Sequence, residues 1–252
     1  MLKLIKYEMI HSYRSFAIIF GVFLLACVLV PFLPYDISII GATLIMFAFF
    51  GISIAVFVTI IRNYNTSMFK KPGYLTLTLP VSTHELVISK VLSALIWLFI
   101  TSVILFLGLI ILVMAVMVVE GYQVNLFEII NEIFKNFSKF DFASLFSLLF
   151  QLTVQSIVTI LGFFALTTIL QTKYTRNHKT ALGFIIFVLY AFVTAIIGDM
   201  LPINNNELFM EFNSYGNFHL NINWMAVLYS CIEIAFFYII TIFVINKKIE
   251  IE

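Results

Sequence analysis

VLSALIWLFITSVILFLGLIILVMAVMVV, Val91 to Val119, is the stretch whose reading decides the fold. It holds no charged residue and no proline, and it exceeds the roughly 20 apolar residues that carry a helix across a bilayer core of about 30 Å. Apolar residues run on without alternation, which argues against a barrel strand, where successive side chains face lipid and lumen in turn. Runs of the same character lie on either side of it, at 16–32, 39–61, 143–170, 181–201 and 224–246. With no water to satisfy backbone amides and carbonyls, such runs become helices. The expected fold is an all-α membrane domain of six spanning helices, occupying residues 1–252 as one unit.

Composition agrees with this. The chain is 62% hydrophobic and 11% charged, with a mean hydropathy of +1.10, whereas a soluble domain is nearer half apolar and a quarter charged. The breaks between runs are too short for a soluble domain. The first run is too long, and has too many successors, to be a cleaved signal peptide. A net charge of +1 argues against nucleic acid as a partner.

The breaks are unequally charged. Lys3, Lys6 and Arg14 precede the first run, and Arg62, Lys70, Lys71 and Lys90 follow the second. Lys173, Arg176 and Lys179 follow the fourth, and Lys247 and Lys248 follow the sixth. Only Lys135 and Lys139 fall on the other side. Cytoplasmic loops collect Lys and Arg, so both termini are expected inside the cell, in the plasma membrane.

Three connecting stretches carry further signals. Leu2, Ile5, Met9 and Tyr13 share one helical face while Lys3, His11 and Arg14 lie off it, which predicts an interfacial helix over 1–14 on the inner leaflet. Leu126, Ile129, Ile130, Ile133, Phe134 and Phe137 recur at helical spacing opposite Glu128, Asn131, Glu132 and Lys135, which predicts an outer amphipathic helix between the third and fourth spans. Ser82 and Glu85 form a capping box flanked by Val81 and Leu86, so a helix should start at Thr83 and run into the third span. At 1.5 Å per residue the stretch from Thr83 to Val119 is about 55 Å long, so it must tilt, bend or break near Ser89-Lys90. Pro31 and Pro34 end the first helix and leave a tight hairpin to the second. The stretch from Asn204 to Asn223 reads as polar and irregular.

Several chemistries lack their residues. There is no G-x-x-x-x-G-K-[ST] phosphate loop, no H-E-x-x-H and no G-x-S-x-G. His11, His84, His178 and His219 all fall in or beside loops, and Cys27 and Cys231 sit inside apolar runs, so no metal site or disulfide framework is expected. The chain does not read as an enzyme. One carboxylate lies deep in a run: Glu233, near mid-membrane. A charge there costs a few kcal/mol and must face other helices, a partner or a wet cavity. Glu233 is either a contact for substrate or protons or a neutral carboxyl bonded to a neighbouring helix. Gln151 and Gln155, four apart on one face, are candidate companions. Gly41, Ala42, Ala48, Gly51, Ser53 and Ala55 give the second run small residues that suit close helix packing, within the chain or against a second copy.

The segment FKKPGYLTLTLPVSTHELVISK, Phe69 to Lys90, resembles a motif of bacterial ABC-2 type transporter permeases. There the pattern runs Gly-Tyr-Leu-Thr-aliphatic-Thr-Leu-Pro-Val-Ser, followed by a helix with a Ser-Lys pair. Gly73 to Ser82 and Ser89-Lys90 match it. Lys71-Pro72 departs from it, since many members carry an acidic residue before the glycine. The resemblance implies that this element is a coupling helix docking on a separate ATPase subunit. Its docking surface would comprise Met68, Phe69, Gly73, Tyr74, Leu75, Leu77, Leu79 and Pro80, with Glu85 at the start of the next helix. It further implies a second permease chain, identical or not, and ATP and Mg bound by the ATPase, with no cofactor on this chain. A Tyr- and Leu-rich segment in a polar loop is too apolar to remain bare, which agrees with docking. On this reading the chain exports an amphipathic or hydrophobic cargo, such as a toxic peptide or a lipid-like molecule. The alternatives are an ion- or proton-coupled transporter using Glu233, and a non-transporting scaffold or sensor that binds a partner through 62–90.

Overall fold

The computed structural model describes residues 2–33, 35–69, 82–119, 121, 131, 135, 142–172, 179–200, 211–212, 218–219 and 224–248. Six helices follow one another: α1 (Leu2–Leu29), α2 (Tyr35–Phe69), α3 (Thr83–Val119), α4 (Phe142–Leu170), α5 (Lys179–Met200) and α6 (Trp224–Lys248). A 3-10 turn, Val30–Phe32, closes α1, and its last bond runs from the Leu33 amide to the Val30 carbonyl at 3.2 Å. Five helices are long and apolar enough to cross a membrane, and α5 is apolar over Ala181–Ile197. The protein is an all-α, multi-pass membrane protein. Large side chains such as Phe47, Phe99, Phe146 and Phe184 are at least 70% exposed on these helices, as lipid-facing positions require.

Helical hydroxyls bond back to their own helix. Thr59 donates to the Ala55 carbonyl at 2.7 Å, Thr101 to Trp97 at 2.7 Å and Thr168 to Phe164 at 2.6 Å. This is how Ser and Thr are tolerated where no water is at hand.

The chain divides into two compact units, Met1–Ser67 with Glu85–Leu126, and Met68–His84 with Phe127–Glu252. In the first, buried residues recur at steps of three and four: Ser12, Phe16, Phe20, Phe23 and Cys27 on α1, Ile52, Val56, Ile60 and Tyr64 on α2, and Val87, Lys90, Ala94, Trp97, Thr101 and Gly108 on α3. Rings fill the space between helices. Phe16 stacks on Trp97 at 3.9 Å, and Phe23 meets Phe49 edge-on at 5.0 Å. Gly108 leaves room for Phe23, whose ring would collide with any β-carbon there. Beyond α3, Gly121 adopts φ 79°, and its amide reaches the Val118 carbonyl at 3.2 Å, a left-handed exit that suits glycine.

In the second unit α4 packs chiefly on α6 and less extensively on α5. Val158, Leu161, Ala165 and Thr168 on α4, and Val227, Ser230, Phe237 and Thr241 on α6, are among the buried positions of these two helices. Among the described side chains of α5 only Gly183 is buried. Glu211–Phe212 pairs antiparallel with Phe218–His219, so the stretch expected to be irregular contains a two-residue strand pair, β1 and β2.

Three expectations are corrected. The separate interfacial helix is absent: α1 runs unbroken from Leu2 to Leu29, and its inward side at this end carries Glu8 and Ser12, with Tyr13 exposed. The second helix is longer than 39–61, because the polar turns after Arg62 continue the buried stripe through Tyr64. The third helix starts at Thr83 as expected and is continuous through Ser89-Lys90. Lys90 is helical and 3% exposed, not a loop cation, because a carboxylate meets it inside the bundle. Of the two placements open to the small residues of the second run, Gly51 and Ser53 take the exposed one, and a β-carbon at Gly51 would meet nothing within 4 Å. Of the outer amphipathic segment only Asn131 and Lys135 are described, both helical.

Candidate functional site

Two polar constellations interrupt the apolar interior. The first joins three helices of the first unit. Lys90 Nζ on α3 donates to Glu8 Oε1 on α1 in an ion pair, and to Ser67 Oγ on α2 at 2.6 Å. Ser67 in turn donates to the Tyr64 carbonyl at 3.2 Å, and Asn63 Nδ2 donates to Ser12 Oγ at 3.0 Å. Lys90 is 3% exposed and Glu8 21%, so the cation is the more deeply held partner. Ser89 and Ser93 flank it with hydroxyls bonded to the Leu86 and Lys90 carbonyls at 2.8 and 3.0 Å. The cluster therefore holds the two helix ends that bracket residues 70–82. A lysine fully paired in this way is a structural tie, with no open position for chemistry.

The second constellation lines a cavity of about 960 Å³ in the second unit, walled by α4, α5 and α6. Gln151, Gln155 and Thr159 enter it from α4, four residues apart; Tyr190 and Thr194 enter from α5; Tyr229, Ser230 and Glu233 enter from α6. Tyr190 donates its hydroxyl to Glu233 Oε1 at 3.1 Å. Tyr229 lines the same cavity one turn before Glu233 on α6. Aromatic rings form the apolar remainder. Tyr190 meets Phe237 edge-on at 5.3 Å, and Phe163 lies 5.9 Å from Phe187. Gly162 lets Phe237 approach α4, since a β-carbon there would sit 3.4 Å from the ring.

The structure thus brings Gln151, Gln155 and Glu233 to one cavity. The partner of the carboxylate on another helix is Tyr190, which sequence reasoning did not single out. The signal was present, because Tyr190 is the one tyrosine of the 181–201 run. Of the docking residues implied by the resemblance, Met68 and Phe69 are 1% and 2% exposed. They are buried at the end of α2. Glu85 lies half-buried in the first turn of α3. Gly73, Tyr74, Leu75, Leu77, Leu79 and Pro80 lie outside the described residues. Just beyond them, His84 Nδ1 lies 2.9 Å from the Tyr238 hydroxyl, a hydrogen bond between the end of that segment and α6.

No group of three or more His, Cys, Asp or Glu able to hold a metal occurs among the described residues. Comparison with protein-family models, curated proteins and solved structures returns no match to this chain.

Proposed function

We propose that this protein is the membrane subunit of an ATP-driven exporter of the ABC-2 type, acting in the plasma membrane with both termini inside. The observation that carries the reading is the Gly73–Ser82 segment, with its likeness to a coupling element, standing between two helices that are longer than a bilayer requires. At 35 and 37 residues, α2 and α3 are about 52 and 55 Å long against a bilayer core of about 30 Å. The polar turns from Arg62 to Ser67 provide an exit from the membrane, and the charged start of α3 provides the return. The docking surface then rests on Gly73, Tyr74, Leu75, Leu77, Leu79 and Pro80, with Met68 and Phe69 anchoring its base.

A route from this segment to the cavity supports the same reading. His84 bonds to Tyr238, and Tyr238 lies five residues beyond Glu233 on α6. A displacement of the segment would move the helix that carries the cavity's carboxylate. The ATPase subunit would bind ATP and Mg, a second permease chain would complete the assembly, and lipid would surround it. The cargo is amphipathic or hydrophobic, a peptide or lipid-like molecule.

The test is purification of the chain from its native membrane in mild detergent. A stoichiometric P-loop ATPase should accompany it, and Tyr74→Asp or Leu77→Asp should detach that ATPase without loss of the folded chain. A clean preparation with no ATPase refutes the proposal. That outcome would favour a second reading, an ion- or proton-coupled transporter, for which the Tyr190–Glu233 hydrogen bond inside the cavity is the supporting observation.

A further inference from the structure

We propose that the cavity between α4, α5 and α6 binds a lipophilic organic monocation, with Glu233 as its counter-ion. Among the described residues that line the cavity, Glu233 is the one ionisable at neutral pH; no Lys, Arg or His contributes. An anion therefore finds no partner there. A neutral apolar molecule would leave the carboxylate without a counter-charge in an apolar cavity, which is costly in a membrane.

Tyr190 directs its hydroxyl to Glu233 Oε1 at 3.1 Å, which holds the carboxylate on the cavity wall. A small hydrated cation is poorly served by the rest of the wall, which is built of Phe163, Phe187 and Phe237. Those rings suit an organic cation. Ring faces attract positive charge within about 6 Å, and the attraction grows when water is excluded. The volume is that of a site for a drug-sized ligand, and an apolar lining with a few convergent polar groups is the usual construction of one. Gln151 and Gln155 add amides for polar substituents of the ligand.

As a statement about cargo this rests on the export reading; as a statement about binding it stands alone. The test is equilibrium binding to the purified full chain in detergent, with protein-free micelles as background. The probes are tetraphenylphosphonium and tetraphenylborate, which share a shape and differ in the sign of their charge. Saturable binding of the phosphonium and none of the borate is expected. Glu233→Gln should weaken phosphonium binding at least tenfold, and Tyr190→Phe by about threefold. Equal affinity for the two ions in the unmodified chain overturns the proposal, as does absence of saturable phosphonium binding. Should Glu233→Gln not yield a monodisperse protein, the comparison of the two ions on the unmodified chain decides alone. Binding lost while the ATPase still co-purifies removes the cation site and leaves the export reading. Binding present with no ATPase does the reverse.

Discussion

Removing the Glu8 carboxylate exposes how the first unit is held together. In Glu8→Ala, Lys90 keeps its position at 3% exposure and loses its counter-charge. Breaking a buried ion pair from one side costs about 3–5 kcal/mol, because the remaining charge stays out of water. Ser67 Oγ still accepts from Lys90 at 2.6 Å, which places the loss at the lower end, about 3 kcal/mol. A chain of 252 residues loses about 2–4 °C of melting temperature per kcal/mol, so a fall of roughly 6–12 °C follows. The reverse change should be milder. In Lys90→Met the orphan is Glu8, which is 21% exposed and able to turn toward water, and methionine fills the volume of the lysine stem. The cost is then about 1–2 kcal/mol. Replacing both partners, in Glu8→Leu with Lys90→Met, should bring the melting temperature back near that of the unmodified chain, since apolar substitutes for buried pairs are often neutral or better. Heating detergent-purified protein and measuring the monodisperse fraction by size exclusion gives the numbers. Trp97 fluorescence gives a local readout, because its ring stacks on Phe16 of α1. A Glu8→Ala protein that melts with the unmodified chain would refute the argument, and so would equal losses for Glu8→Ala and Lys90→Met.

Gly108→Ala should destabilise the protein by about 1–3 kcal/mol, since the new methyl meets a Phe23 ring pinned against Phe49; Gly51→Ala, with nothing near it, should be neutral or gain up to about 1 kcal/mol. The two melting curves test both together. His84→Phe should cost about 1 kcal/mol or less in stability, as the loss of one exposed hydrogen bond. On the export reading it should nonetheless lower transport per ATP hydrolysed in reconstituted vesicles; an unchanged ratio would remove Tyr238 from the coupling route. Tyr190→Phe should leave expression intact and cost about 1–3 kcal/mol in thermal stability, as the loss of a hydrogen bond to a carboxylate. Melting curves of Tyr190→Phe alone and combined with Glu233→Gln check this, because the amide accepts a weaker bond and the tyrosine loss should shrink in the double variant.

Spans were legible in the sequence because each is a local property. The run 143–170 became Phe142–Leu170, and the capping box at Ser82 and Glu85 placed the start of α3 at Thr83. Pairings between helices were not legible. Glu8 and Lys90 are 82 residues apart, and each looks on its own like a solvated flank; only their meeting explains why α3 stays helical through Lys90. The inward side of α1 was misread for the same reason, since an apolar face of Leu2, Ile5, Met9 and Tyr13 competed with a polar partner the pattern could not display. At the cavity, Glu233 was conspicuous as a lone carboxylate in an apolar run, and Gln151 and Gln155 by their spacing. Tyr190 was not, because tyrosine is common in membrane helices and its role depends on what faces it. The burial of Met68, which the resemblance implied as a docking residue, continues the stripe Ile52, Val56, Ile60 and Tyr64 that precedes it.

The order in which these contacts become available on the ribosome follows from the first unit's composition. Every residue of the Lys90 cluster lies before Leu126, so α1, α2 and α3 can assemble as soon as α3 has left the translocation site. The remainder of the chain needs roughly 6–25 s more at about 5–20 residues per second. Throughout that interval the nascent chain already holds Lys90 neutralised by Glu8, an acid made long before the base that needs it. His84, although made with the first turn of α3, bonds to Tyr238 on α6, a helix that does not yet exist. That end of α3 gains its partner only once α6 is complete.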